Sequence, residues 1–238
     1  FPTRRSSDLL VVSFALMIVV AISFGELVGE SMGTVHAMAT AVAALSVVIL
    51  ILIGPAMTGG TVCGDLETGV WDLMRTTRLR SWTIVAGKFY AAVLPLLVIA
   101  ISMTPALFIL LYFDMSLLPN LLRTLQVLLL STLFVAVTGM FFSAVFKRTA
   151  TATAWTYAVV VTLGLATLLI LLDREGFSDR FVRRVFQLNP VAVAMGAAGA
   201  PGLQKYDLLV PHLKIIGTVT VALFALTVLR VIHLRRAD

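Results

Sequence analysis

GDLETGVWDLMRTTRLRSWTIVAGKF, residues 64–89, interrupts two stretches of almost pure hydrocarbon: VVILILIGPAM (47–57) before it and AAVLPLLVIAI (91–101) after it. The interruption has the marks of a short helix. Asp65 stands where a carboxylate can accept hydrogen bonds from the free N–H groups of a helix start. Leu66, Val70, Leu73 and Met74 follow at i, i+4, i+7 and i+8, one face of a helix, with Asp65, Thr68, Asp72 and Arg75 opposite. Acids come first and arginines last, which suits the helix dipole. Gly69 costs about 1 kcal/mol of helix propensity, which suggests a close packing contact. Ser81 is placed to cap the next helix, and Lys88, one turn inside it, is placed to snorkel back to the interface. The pattern leaves two readings open: a helix resting on a membrane surface, or one that docks a soluble partner.

The rest of the chain shows why a membrane is involved. Of 238 residues, 60% are hydrophobic and 13% charged, and the mean hydropathy is +1.03; soluble domains carry about 25% charged residues. The apolar residues form long runs, and only helices or closed barrels satisfy the backbone in lipid. A barrel would show short alternating segments instead. The sequence therefore predicts an all-α polytopic protein with about six spans, near 9–24, 36–57, 84–112, 121–146, 151–172 and 211–232. Pro95 and Pro105 give the third span places to tilt or bend. The net charge of +6 comes from basic residues at the ends of apolar runs, where they meet headgroups. With no basic stripe interleaved with aromatics, nucleic acid is not an expected partner. The basic residues of the short breaks, among them Arg75, Arg78, Arg80, Lys147 and Arg148, favour a cytoplasmic position for the interruption.

Several chemistries find no support. Cys63 is the one cysteine, so neither an intramolecular disulfide nor a cysteine metal cluster is available. His36, His212 and His233 are far apart at span ends and read as headgroup-level polar residues, so no metal site is expected. No span carries a clearly central ionisable residue, as a proton relay or ion-coupled pump would need. Paired aspartates and histidine-rich metal motifs, the marks of an intramembrane protease, are also missing, and no catalytic residue is assigned. The opening FPTRRSSDL (1–9) resembles a translated sequencing-library adapter. Residues 1–9 are expected to be foreign, with 10–238 a single transmembrane domain whose first span continues upstream.

GPAMTGGTVCGDLETGVWDLMRTTRLRSWTIVAGKF (54–89) resembles the signature of the ABC-2 family of ABC-transporter permeases. Gly64, Asp65, Glu67 and Gly69 match its acidic segment, Leu73 and Met74 its leucines, Thr77 and Leu79 its turn, and Ile84, Val85, Gly87 and Lys88 its exit. Asp65 stands where the family has Glu, Val70 where it has Thr, and Arg78 where it has Pro. A second patch, TGMFFSAVFKRTATATAWTY (138–157), resembles the junction of the fourth and fifth spans around Phe146, Lys147, Arg148 and Thr149. The resemblance implies a cytoplasmic coupling helix, with Asp65, Glu67, Gly69, Trp71, Leu73 and Met74 as its ATPase-coupling residues. Gly87 and Lys88 would stand at the entrance to span three. ATP and Mg would be bound by a separate ATPase subunit; this chain has no G-x-x-x-x-G-K-[ST] loop and binds no cofactor itself.

Residues 177–187, FSDRFVRRVFQ, read as an amphipathic helix. Ser178 is its cap, Phe177 and Val182 a hydrophobic staple, and Arg180, Arg183 and Arg184 its polar face. Asn189-Pro190 then starts a second short helix that ends at Gly199 or Pro201. The resemblance implies that this segment is outside and dips back toward the membrane; an ordinary interfacial loop is the alternative. Ala150, Ala154 and Ala158 form a small-residue stripe on span five, and Gly139 and Ser143 are small positions on span four; such residues let helices approach closely. Span five is the expected contact of a homodimer or heterodimer. The function that follows is the permease subunit of an ATP-driven exporter in a bacterial-type inner membrane. The rivals are a membrane anchor that recruits a different cytoplasmic partner through 64–81, and a catalytic membrane protein with scattered polar residues.

Overall fold

The computed structural model describes residues 32–76, 81–165 and 178–236. In chain order its helices are α1 (Met32–Thr58), α2 (Cys63–Glu67), α3 (Val70–Thr76), α4 (Ser81–Phe113), α5 (Leu118–Val145), α6 (Thr149–Gly164), α7 (Asp179–Leu188), α8 (Pro190–Ala198) and α9 (Leu209–Arg236). Two 3-10 turns, Met115–Leu117 and Gln204–Tyr206, complete it. No strand occurs among the described residues, and the protein is an all-α polytopic membrane protein. Four helical stretches are long and apolar enough to cross a bilayer: Val35–Glu67, Trp82–Phe113, Met115–Val145 and Leu209–Leu234. The described part of α6 is 16 residues, about 24 Å at 1.5 Å per residue. The expected span 9–24, the adapter-like residues 1–9 and the far end of span five lie outside the described residues.

The bundle is arranged around α5, which packs against α1, α4, α6, α8 and α9. In its most apolar window 72% of residues are buried, against 22% in α9. That makes α5 the hub and α9 a peripheral helix. A buried helix in lipid must satisfy its own polar groups. Ser131, Thr132 and Thr138 of α5 do so by donating to the carbonyls of Val127, Leu128 and Phe134, at 2.7–2.8 Å. Their hydroxyls therefore cost little at the centre of the bundle. Pro95 and Pro105 lie inside the continuous helix α4, and Pro55 lies inside α1.

Close approach of α1 to α5 rests on two glycines. A Cβ built on Gly139 of α5 would collide with the Thr58 side chain and lie 3.2 Å from its carbonyl carbon. A Cβ on Gly54 of α1 would strike Val135. Gly139 and Ser143 thus serve packing within the subunit. The stripe on α6 differs: Ala150, Ala154 and Ala158 are exposed, while Ala152, Thr156, Val160 and Gly164 make the buried face.

At the end of the bundle opposite the interruption, Asp114 caps the turn into α5 by accepting from the Ser116 N–H at 2.9 Å. Bonds from the Ser116 hydroxyl and N–H hold the Asp114 carboxyl below the usual carboxylate range. Both favour the ionised form, so this cap is present at neutral pH and is lost as pH falls through the lowered value. In α8, Asn189 Oδ1 accepts from the N–H groups of Val191 and Ala192 at 2.7 and 3.0 Å, the cap expected from Asn-Pro. Gly199, at φ 106°, ends the helix in the left-handed conformation. Seven of the nine α8 residues are buried, and the helix packs against α1 and α5. An interfacial loop would not be enclosed in this way. Ser178 precedes α7, but its side chain makes no capping bond, and Phe177 of the expected staple is outside the described residues. Phe181, expected on the apolar face of α7, is exposed, whereas Val182 and Phe186 are buried. His212 also departs from expectation. It is fully buried, with Nδ1 2.8 Å from the Gln187 carbonyl oxygen, and ties α9 to the end of α7.

Gly139→Val is expected to lower the thermal midpoint of the detergent-solubilised protein, at a cost of about 1–3 kcal/mol for overpacking. Gly87→Ala, where a Cβ meets nothing within 4 Å, serves as the control and should keep or slightly raise the midpoint, because alanine is the better helix former. Equal midpoints for the two variants would show that α1 and α5 do not depend on this contact.

Candidate functional site

The interruption begins with a helix that has no side-chain cap of its own. Val62 occupies the N-cap position of α2, and the first N–H groups of any helix lack intrahelical partners. Ser143 of α5 supplies the acceptor. Its Oγ takes the N–H groups of Val62 and Cys63 at 2.8 and 3.0 Å. The Ser143 hydroxyl donates in turn to Cys63 Sγ at 3.2 Å, and the thiol donates to the Gly59 carbonyl at 3.1 Å. Asp65, expected to cap this start, is already inside the helix. Its carboxylate pairs with Lys88 Nζ of α4. Lys88, expected to snorkel to the interface, is held by that pair.

Gly69 divides the expected single helix in two. It adopts φ +73°, a conformation that glycine enters without a Cβ penalty, and a Cβ there would meet nothing within 4 Å. Gly69 therefore makes a turn and no packing contact. The turn also breaks the expected apolar face. Trp71, 4% exposed, is buried in a cluster with Val62, Ile84, Val85, Met140, Ala144 and Val231. Leu66 and Met74 pack partly against this cluster, while Val70 and Leu73 are exposed, Leu73 at 69%. The cluster joins the short helices to α4, α5 and α9, and burying an aromatic of this size makes it a major anchor. Residues 77–80, before the start of α4, lie outside the described residues, so the expected cap at Ser81 is not described.

Glu67 reaches a third span. Its Oε1 accepts from the Thr149 N–H and its Oε2 from the Thr149 hydroxyl, both at 2.9 Å. Thr149 is the first residue of α6 and Arg148, the N-cap residue, makes no side-chain cap. A carboxylate at a helix start satisfies free N–H groups and meets the positive end of the dipole. The sequence marked Glu67 as a coupling residue; its carboxylate is bonded at the entrance to α6. Further contacts join α6 to α1. The Tyr157 hydroxyl donates to the Leu52 carbonyl at 2.7 Å, and Cβ atoms added at Gly59 and Gly164 would strike Thr153 and Ile51.

The five-residue α2 is thus fastened to three helices: α5 through Ser143, α4 through Lys88 and α6 through Thr149. Gly87 and Lys88 line a shallow groove of about 260 Å³ beside Met74 and Ile84. Ser143 and Thr149 were not assigned these roles from sequence. Both stood within the 138–157 patch, but a bond across some 80 residues leaves no periodic trace.

The break between α1 and α4 is thus bonded to α4 itself and to two further helices of this multi-pass membrane protein, α5 and α6. A family model described as an ABC-2 family transporter protein matches residues 29–229. The chain belongs to that family and is a membrane subunit of the ABC transporter class. No curated protein matches the chain.

Ser143→Ala would leave the Val62 and Cys63 N–H groups buried without an acceptor, at about 1–3 kcal/mol. A clear fall in the melting midpoint is expected, together with faster maleimide reaction at Cys63, which is fully buried in the intact clamp. An unchanged midpoint and an unreactive thiol would show that the clamp is not needed.

Proposed function

We propose that the chain is the permease subunit of an ATP-driven exporter and that residues 63–76 receive the push of a separate ATPase subunit. One observation carries this reading: α2 is bonded to α4, α5 and α6 at once. A displacement of the interruption must then move three transmembrane helices, or break charged and buried hydrogen bonds. The membership in a transporter family supports it. ATP and Mg belong to the partner. Within the coupling segment the roles divide by exposure. Leu73 and Val70 present an uncovered apolar surface to the ATPase. Asp65, Glu67 and Trp71 transmit, because their side chains are engaged within this chain, and Met74 is shared between cluster and surface. Two such subunits, identical or different, meet through the exposed Ala150, Ala154 and Ala158 face of α6, which also carries the exposed Trp155. The interruption faces the cytoplasm of a bacterial-type cell, with α7 and α8 outside. An anchor that only recruits a partner would need the exposed surface of α3 but not the clamp.

With the subunit reconstituted beside its ATPase, Leu73→Asp is expected to lower co-purification of the ATPase at least several-fold. Glu67→Ala should preserve co-purification yet lower transport-linked ATP hydrolysis by a similar factor. Glu67→Gln should fall between, because its carboxamide retains an acceptor for the Thr149 N–H. Wild-type coupled turnover in Glu67→Ala would remove the clamp from the mechanism and favour the anchor.

Cys63 is too buried to report topology. In a Cys63→Ala background, Leu73→Cys is expected to resist a membrane-impermeant maleimide in intact cells and to react after lysis. Arg183→Cys, at an exposed position of α7, should react in both. The reverse pattern would invert the orientation.

A further inference from the structure

The end of the bundle remote from the clamp holds a cavity of about 390 Å³, bounded by the first turns of α5, the second half of α8 and the segment leading into α9. Its volume lies in the range of small-ligand sites. Most of its wall is apolar, including Val193 and Leu208, but three polar side chains line it: Asn120, Arg123 and Asp207. Arg123 and Asp207 carry opposite charges in one cavity without pairing with each other. An ion pair joins Lys88 to Asp65 at the clamp, but among the described residues neither the Arg123 nor the Asp207 side chain is paired or hydrogen-bonded to another side chain. Asp207 is also held at φ +41°, the one non-glycine residue at positive φ among those described. A residue in this region is worth a functional question.

We propose that this cavity binds a zwitterionic phosphate-and-ammonium group, of the kind carried by phosphatidylethanolamine. Arg123 takes the phosphate and Asp207 the ammonium, with Asn120 as an additional polar contact. A guanidinium recognises phosphate oxygens through paired charge-assisted bonds. A carboxylate beside it attracts the ammonium and repels a second anion, so the pair selects a zwitterion over an anionic group. The position fits a lipid source. Leu209, which lines the cavity, is also the first residue of the apolar stretch Leu209–Leu234. The neighbouring Leu122 and Val210 are about half exposed and give acyl chains an apolar surface to lie against. A polar group seated here therefore stands at headgroup level.

Gly196 provides a test that leaves both charges in place. It lines the cavity, and a Cβ there would lie 3.6 Å from Leu203 Cβ and 3.8 Å from Leu208 Cδ1. Gly196→Ala fits, and Gly196→Leu fills the space. The full chain is reconstituted in nanodiscs of equal phosphatidylethanolamine and phosphatidylglycerol, and the lipid retained after detergent extraction is measured by mass spectrometry. The wild type and Gly196→Ala should retain phosphatidylethanolamine in excess. Arg123→Gln should lose this retention by about tenfold or more, the loss expected for a hydrogen bond to a charged group, and Gly196→Leu should lose it by filling the cavity. Asp207→Asn should lose the preference while keeping, or gaining, phosphatidylglycerol. Free phosphoethanolamine is tested in parallel as a competitor and as a thermal stabiliser. Stabilisation of the wild type but not of Arg123→Gln, without lipid retention, would support the same site with a soluble zwitterion as its occupant. Equal retention of the two lipids by the wild type, with no response to phosphoethanolamine, would overturn the proposal. So would a wild-type preference left intact in Asp207→Asn. Melting curves of each variant confirm folding, and because Arg123 and Asp207 are exposed their substitutions should leave the midpoint in place.

Discussion

A helix start without its own cap governs one end of this molecule. The chain leaves α1, turns, and begins α2 with N–H groups that must find acceptors. Ser143 of the central helix provides one for two of them. Once that bond fixes the start of α2, the next four residues have little freedom. Asp65 is directed at Lys88 and Glu67 at Thr149, and the chain turns at Gly69 so that Trp71 closes the cluster beneath. Asp65 and Glu67 are thereby engaged within the subunit, and among the described residues of the interruption the exposed large apolar side chains are Val70 and Leu73. Bonded and exposed side chains of the interruption therefore stand only a few positions apart.

The clamp rests on α5, and α5 is not loose. It is instead the best-buried span, close to α1 through Gly139 and Gly54. The hydroxyls of Ser131, Thr132 and Thr138 bond their own helix, whereas Ser143 reaches the start of α2. The start of α2 is therefore fastened to a packed column whose interior resists deformation. The outward faces of α4 and α9 carry large apolar side chains such as Ile101, Ile109, Val221 and Leu229, as a lipid-facing surface requires.

The two ends of the bundle treat charge differently. At the clamp, Asp65 is partnered by Lys88 and Glu67 by Thr149. At the far end Arg123 and Asp207 share a cavity without pairing. Paired charges fix structure, whereas an unpaired couple in a cavity retains the capacity to bind. The far end is nevertheless ordered by neutral devices: the Asn189 cap, the left-handed Gly199 and the His212 bond to Gln187.

The sequence alone determined the elements that depend on local chemistry. Long apolar runs had to be helices in lipid, so α1, α4, α5 and α9 were legible, within a few residues at their ends. Asn189-Pro190 and Gly199 marked α8 because capping is a property of adjacent residues. The polar interruption, with Glu67 and Lys88 in it, was visible as a break in hydrophobicity. Partners and faces were decided by the tertiary structure. Periodicity placed Leu66, Val70, Leu73 and Met74 on one face, but a glycine at positive φ restarted the register and buried Trp71 instead. Small residues on the fourth and fifth spans looked alike, yet Gly139 is consumed by Thr58 while Ala154 remains exposed. Glu67 could be recognised as an acid near a helix start; that the start it caps belongs to α6 could not. Hydrophobic pattern and caps act between residues close in the chain, whereas the bonds of Ser143, Lys88 and Thr149 arise only when distant helices are packed side by side.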